Sequence, residues 1–456
     1  PHAKTAAVIG MGSGQTSHIL LGNEKLQRVD TIEIEEAVIE AAGHFGSNVE
    51  RVFTDSRSHI FIDDARSFLS THNSQYDVIV AEPSNPWVSG VSSLFSEEFY
   101  ELADRHLAPN GVLAQWLQLY EIEARLVASV MGALVKTFPD YAIYATDNAN
   151  MLILARKGGP QSLDQHVFLQ TNIAEELARH QIHSVDDLAI RKIGDRQVLQ
   201  PFFDSFDSPP NSDFHPFLDL NAVKSRFLDH SSNGILALKS SPVPVLDLLA
   251  SPTQFTSSHT LGSRKKRAAA KDEFTMLQIV QNARTLQRYF DQGRTTDLEQ
   301  LPPSLQRDAQ RAFTGLTKCL EPGEGQRWLQ SLISIAATIN PALKVPELRK
   351  FWTVISESNC YSSLPTMGKS WVSLFAAVGE RDGHKIATLG TNILPRTSGM
   401  PDSWRNYVLA ATMAGYLSLE DNRNASYVWE RYGRKLTNRP EAEALLFRLL
   451  KAHSEI

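Results

Sequence analysis

Cysteine is almost missing from these 456 residues: only Cys319 and Cys360 occur, far apart and without metal-ligand spacing. That scarcity argues against a disulfide framework and a structural zinc, and it predicts a reducing compartment. Long apolar runs are also lacking. No uncharged stretch approaches the roughly eighteen residues a spanning helix needs, which excludes a membrane-embedded chain. Nor is there a strong excess of one charge, since the formal net charge is -6. Such a balance gives no support to a nucleic-acid scaffold and suits a cationic substrate. The chain opens on "PHAKTAAVIGMG", with no methionine and no basic segment leading into an apolar one. The expectation is a piece cut from a longer protein, located in the cytoplasm and tethered to the membrane's cytoplasmic face by an upstream region.

What is present is an ordinary globular composition, 42% hydrophobic and 21% charged, long enough for two or three domains. From residue 4 to about 157, apolar runs of strand length ("TAAVIG", "VDTIEIE", "HIFID", "YDVIVAE", "GVLAQWL") alternate with helix-period segments. The helices are expected through Ile19 and Leu20, through Val38 and Ile39, near Phe68 and Leu69, around "SEEFYELADRHL", and along Leu126, Val130, Leu134 and Phe138. Such alternation predicts an α/β fold with a mostly parallel sheet and helices on both faces. Residues 158–250 read as a covering segment or small subdomain, broken by "SFDSPPNSDFHPFLDLNA", and 251–272 as a polar linker with a basic run from Arg264 to Arg267. Residues 273–456 read as helices separated by Pro, Gly and Asn turns. There "WVSLFAA" at Trp371 and "WRNYVLAA" at Trp404 repeat a pattern 33 residues apart. Either a tetratricopeptide-like docking solenoid or an ordinary helical bundle accounts for it.

Ligands of parallel sheets sit beyond the carboxyl ends of the strands, so the residues there come first. In "VIGMGSGQTS", Gly10, Gly12 and Gly14 join a strand to a helix, where glycine lets the backbone turn tightly and approach a ligand. A dinucleotide fingerprint needs glycine where Gln15 stands, so NAD is demoted in favour of a nucleoside, although the same bend also occurs without a ligand. Glu33 ends the second strand, placed either to accept from both hydroxyls of a ribose or, like Glu35 and Glu36, to favour the start of the next helix. Asp64 follows the third strand and suits an adenine amino group or a helix cap equally. Glu82 follows the fourth strand in "YDVIVAEPSNPW", held by the Pro83 and Pro86 turn, with Trp87 as a pocket wall. A carboxylate there can accept a proton from a nucleophile, or it can merely cap or pair.

The series "VIGMGSGQ", "IEIEEAVIEAA", "DDARSFL", "YDVIVAEPSNP" and "SLFSEEFYELADRHLAPNGVLAQW" resembles the polyamine synthase family, the spermidine and spermine synthases, and most nearly their bacterial membrane-fused branch. The match is collinear over residues 4 to about 157. It implies a methyltransferase-like Rossmann domain over 1–157 that moves an aminopropyl group from decarboxylated S-adenosylmethionine to a diamine such as putrescine. The donor is a co-substrate; no prosthetic group and no metal are implied. By the resemblance, Gly10, Gly12, Ser13, Gly14 and Gln15 form the donor loop, Glu33 takes the ribose, and Asp64 with Ala65 takes the adenine. Glu82 is the catalytic carboxylate, and Asn85, Trp87, Gln115, Trp116 and Tyr120 lie about the acceptor, the last three past the fifth strand. A polyamine substrate, a homo-oligomer and a protein partner on the helical region are the expected associations, with no nucleic acid.

Three departures qualify the match. Ser13 replaces an aspartate of the family's loop, Glu82 is one methylene longer than the family's aspartate, and Asn85 removes a charge. Two alternatives therefore stay open: a methyltransferase using intact S-adenosylmethionine, and a synthase-like domain without turnover that serves docking.

Overall fold

Ala6, Ala7, Val8 and Ile9 are all nearly inaccessible to solvent, so strand β1 (Thr5–Ile9) is covered on both faces, as a run without polar alternation requires. In the computed structural model, which describes residues 3–158, 168–180, 182–250, 274–320, 323–433 and 440–456, β1 lies inside an eight-stranded sheet. The other strands are β2 (Arg28–Glu33), β3 (Ser58–Ile62), β4 (Tyr76–Ala81), β5 (Leu107–Gln118), β6 (Asp140–Ala145), β7 (Asn150–Arg156) and β8 (Lys192–Asp195). Their spatial order is β3-β2-β1-β4-β5-β7-β6-β8. β1 to β5 run parallel; β7, β6 and β8 are joined antiparallel. The chain walks outward from β1 to β3 and then crosses back to β4. A crevice therefore opens between the ends of β1 and β4, where the connections diverge.

The helices fall where the apolar periodicity puts them, at Gln15–Leu21, Glu36–Gly43, Ala65–Thr71, Glu97–Arg105 and Ala124–Thr137. Leu21 and Leu26 pack with Ala6, Val8, Val29, Val80 and Ala114 into a continuous apolar cluster on one face of the sheet. β6, β7 and β8 were not among the expected strands. "DYAIYA" and "NMLILAR" alternate buried and half-buried positions as a hairpin at a sheet's side does, and "KIGD" is too short to announce itself.

The chain divides into two compact units, one ending at Asn233 and one beginning at Gly234. The expected linker 251–272 and its basic run Arg264–Arg267 lie outside the described residues. From Gly234 on, the described elements are helical, and consecutive helices such as Thr366–Glu380, Gly383–Ile393 and Asp402–Leu417 pack on one another. Gly390 shows how closely: a Cβ there would lie 2.0 Å from Thr412 Oγ1. Trp371 and Trp404, the repeated tryptophans, stand edge to face with ring centroids 5.9 Å apart. No described helix is long and apolar enough to cross a membrane.

One expectation is overturned. Cys319 and Cys360 form a disulfide, with Cα atoms 4.9 Å apart. Cys319 follows helix Pro303–Thr317 and Cys360 follows helix Val345–Ser356, so the folding of this unit joins residues whose spacing looked unrelated. Cysteine usage accordingly loses its force as an argument for a reducing compartment. A cross-link spanning 41 residues removes chain entropy from the unfolded state worth about 4 kcal/mol. Reduction of the full chain, or Cys319→Ser with Cys360→Ser, is expected to lower the midpoint of the helical unit's unfolding transition in denaturant by a matching amount.

Candidate functional site

The site begins with a backbone contact. At Gly10 the chain turns at φ 86°, and a Cβ there would fall 2.6 Å from the Glu82 carbonyl oxygen. Only glycine satisfies both conditions. The ladder continues through this point, because Gly10 N–H donates to Ile32 O and Glu82 N–H donates to Ile9 O, both at 2.9 Å. Gly12 and Gly14 also take positive φ, and Gly14 N–H closes a turn on Met11 O at 2.8 Å. The Met11 side chain anchors the bend by packing with Ala42 and Val52. Ser13 Oγ accepts from Gln15 N–H at 3.4 Å, and Gln15 starts the first helix.

Glu33 braces this bend from the end of β2. It is 7% exposed; one carboxylate oxygen accepts from Met11 N–H at 2.8 Å and the other from Glu35 N–H at 3.0 Å. Each oxygen keeps a second acceptor direction for a ligand hydroxyl. Glu35 occupies the position before the helix that Glu36 begins, without a side-chain capping hydrogen bond. Beyond β3, Asp63 N–H donates to Glu33 O at 3.0 Å, which ties the two strand ends together. Asp64 is the cap of helix Ala65–Thr71, accepting from Ser67 N–H at 2.9 Å, and Ala65 beside it is buried. Glu33 and Glu82 thus flank the bend, and Asp64 follows the neighbouring strand β3, next to the Asp63 amide that is tied to Glu33 O.

Glu82 is the unusual member. Its carboxylate is half-buried, and its hydrogen-bond donor is the Thr16 hydroxyl, 3.1 and 2.9 Å from the two oxygens. No ion pair to Glu82 forms among the described residues. Burial pushes its pKa above the usual carboxylate range, while the Thr16 hydrogen bond pulls the other way because it favours the charged form. A carboxylate so placed is ready to take a proton. Thr16 escaped sequence reasoning, although its position in the first helical turn after the glycines was a usable signal.

After Glu82 the loop is fastened from a distance. Tyr120 O–H donates to Asn85 Oδ1 at 3.4 Å, and the Tyr120 and Trp87 rings meet edge to face at 6.1 Å. The Arg226 guanidinium lies over Trp87 at 5.1 Å, its charge balanced by Glu121 at 3.4 Å. Farther along the loop, buried Asn211 donates to both Ser92 O and Phe95 O at 3.1 Å and accepts from Leu218 N–H at 3.0 Å. Asp213 meets Arg66 through two hydrogen bonds, and this contact holds its carboxyl below the usual range. Asn211 and Asp213 lie in the proline-rich segment expected to cover the sheet, where nothing in the sequence distinguished them.

Gln115 and Trp116 require correction. They lie within β5, not past it. Gln115 pairs with Ala81 across the sheet, is wholly buried, and donates to Ala81 O and Trp116 O at 3.3 and 3.1 Å. Strand alternation turns it to Ala81's face, the opposite one from the next residue, Glu82. Among the described residues no group of three or more His, Cys, Asp and Glu side chains could hold a metal ion.

A mostly parallel sheet with a glycine bend after β1 and acids at the end of β2 and just past β3 and β4 defines a Rossmann-like α/β domain of the methyltransferase type. Residues 1–148 match the spermine/spermidine synthase domain. The chain is 30% identical over 246 residues to the polyamine aminopropyltransferase of Nitrosomonas europaea, covering 52% of this chain and 72% of that protein. It is 27% identical over 144 residues to that of Caldicellulosiruptor saccharolyticus, covering 32% of this chain and 51% of the relative. The spermidine synthase of Thermotoga maritima superposes with a TM-score of 0.30 at 23% identity, over 35% of this chain and 55% of that one. This chain belongs to the spermine/spermidine synthase family, and it spans about half the length of several of the relatives it matches.

Gly10→Ala is expected to cost roughly 1–3 kcal/mol, because it forces both a strained φ and a clash with the Glu82 carbonyl. Chemical denaturation of the first unit measures it; an unchanged midpoint would mean that β1 and β4 separate without penalty.

Proposed function

We propose that the protein transfers an aminopropyl group from decarboxylated S-adenosylmethionine to a diamine such as putrescine, with Glu82 as the proton acceptor. The observation that carries this reading is Glu82 itself: a half-buried carboxylate at the β1/β4 crevice, held by Thr16, with its pKa raised by burial. Glu33 would receive the ribose hydroxyls on its free acceptor directions. Asp64 has a second oxygen for the adenine amino group while the first caps its helix. The acceptor amine arrives protonated and must give up a proton before its lone pair is available. It then attacks the carbon next to sulfur. A C–N bond forms, the C–S bond breaks, and sulfur keeps the electron pair as the neutral thioether of methylthioadenosine.

Trp87 and Tyr120 would flank the acceptor, and Asn85, oriented by the Tyr120 hydroxyl, would offer it a neutral polar contact. The longer Glu82 side chain carries its carboxylate farther from the strand than an aspartate would. For the helical unit we infer a tetratricopeptide-like docking role, supported by the two tryptophans 33 residues apart whose rings meet edge to face across helices.

The test incubates the chain with putrescine and each donor. Methylthioadenosine should form from the decarboxylated donor, and Glu82→Gln should slow it about 10²–10⁴-fold while donor binding persists. Adenosylhomocysteine from the intact donor would select methyl transfer instead, and donor binding without either product would select docking.

The pH profile gives a second check. Because the base must be ionised, the acid limb of kcat/KM is expected above the ordinary glutamate pKa of about 4.3. Thr16→Val removes the donor that favours the charged form, so the limb should move to still higher pH. A limb that stays in place would show that Glu82 does not titrate in the reaction.

A further inference from the structure

Helix Phe217–Phe227, in the first unit, carries apolar residues on two opposite faces. One face is accounted for. Leu218, Ala222 and Ser225 are buried, and the helix rests on Ala124–Thr137, where Ser225 Oγ accepts from Glu123 N–H at 2.8 Å. The other face has no such cover: Leu220, Val223 and Phe227, spaced as one helical stripe, are 72%, 60% and 87% exposed. Leu228 just past the helix and Phe214 shortly before it are exposed as well. So many large apolar side chains left in water within fifteen residues mark an interaction surface. They offer on the order of 500 Å² per copy, so a symmetric pair would bury about 1,000 Å², where specific interfaces begin.

The charges beside the stripe identify what covers it. Asp219 and Arg226, seven positions apart, share one flank of the stripe, while Phe217 and Leu228 share the other with Lys224. Arg226 keeps more than half of its side chain exposed although it pairs with Glu121. A two-fold axis crossing the helix between Ala222 and Val223 sets a second copy antiparallel, brings like flanks together and exchanges position 219 with 226 and 217 with 228. Asp219 of each copy then faces Arg226 of the other, and Phe217 of each faces Leu228 of the other. An anionic lipid surface would call for cations around the stripe, whereas here Asp219 and Asp229 offset Lys224 and Arg226. We propose that this face docks on the same face of a second copy of this chain, with the two helices antiparallel about an axis near Val223. The interface adjoins the candidate site, because Asp219 accepts from Ser92 Oγ at 3.0 Å in the loop after Glu82 and the Arg226 guanidinium covers Trp87.

The test follows the full chain by sedimentation velocity across a micromolar range, where it should form a dimer. Phe227→Ser should raise the dissociation constant about 100-fold, because each dimer buries that ring twice. Phe227 is exposed in the single chain, so its substitution leaves the fold intact and the result readable. Asp219→Arg sets arginine against arginine, and Arg226→Asp sets aspartate against aspartate, so each alone should weaken self-association about tenfold. Mixed in equal amounts, the two variants should form a dimer with each other, since each supplies the charge the other lacks, and that recovery also shows both to be folded. The proposal is overturned if the chain stays monomeric, if the dimer is as tight in Phe227→Ser, or if mixing the two charge variants restores nothing. Binding of the unsubstituted chain to phosphatidylcholine vesicles that Phe227→Ser abolishes would assign the face to a membrane and overturn it too.

Discussion

Strands β1 and β4 end so close together that the backbone at Gly10 rests against the Glu82 carbonyl, with room for a hydrogen atom and nothing more. This contact sets the direction in which both chains leave the sheet. The first turns back through Gly12 and Gly14 into the helix that carries Thr16; the second delivers a carboxylate to that threonine. Glu33 locks the same bend from the other side by accepting the Met11 amide. Removing the close approach would loosen Glu33 and Glu82, which meet the bend or the helix after it, whereas Asp64 is held by its own helix cap.

The electrostatics follow from this packing. A carboxylate at a strand end would ordinarily be stabilised by water or by a cation. Glu82 is partly withdrawn from the first, and among the described residues it forms no ion pair with the second, so its charged form rests chiefly on one hydroxyl. That is an expensive arrangement for stability and a useful one for a proton acceptor. Glu33 shows the contrasting design, since a backbone N–H donor meets each of its two carboxylate oxygens.

The helical unit obeys a different constraint. Gly390 lets helices Gly383–Ile393 and Asp402–Leu417 approach closely, and the Cys319–Cys360 bond ties two helix ends together.

Much of the sheet was legible in the amino-acid order. Unbroken apolar runs such as "TAAVI" and "YDVIVA" announce strands covered on both faces, positive φ at Gly10 demands glycine, and acids recurring just past strand ends locate the crevice. These features are local, so a linear pattern can hold them. What required the tertiary structure was whatever depends on residues distant in the chain. Asn211 reaches back to Ser92, Cys319 finds Cys360, and Gln115 proves to be a buried strand residue only when its register with Ala81 is known. The same holds for the environment of Glu82. Its presence can be read from the sequence, but the burial that raises its pKa is a sum over neighbours, and only folding assembles them.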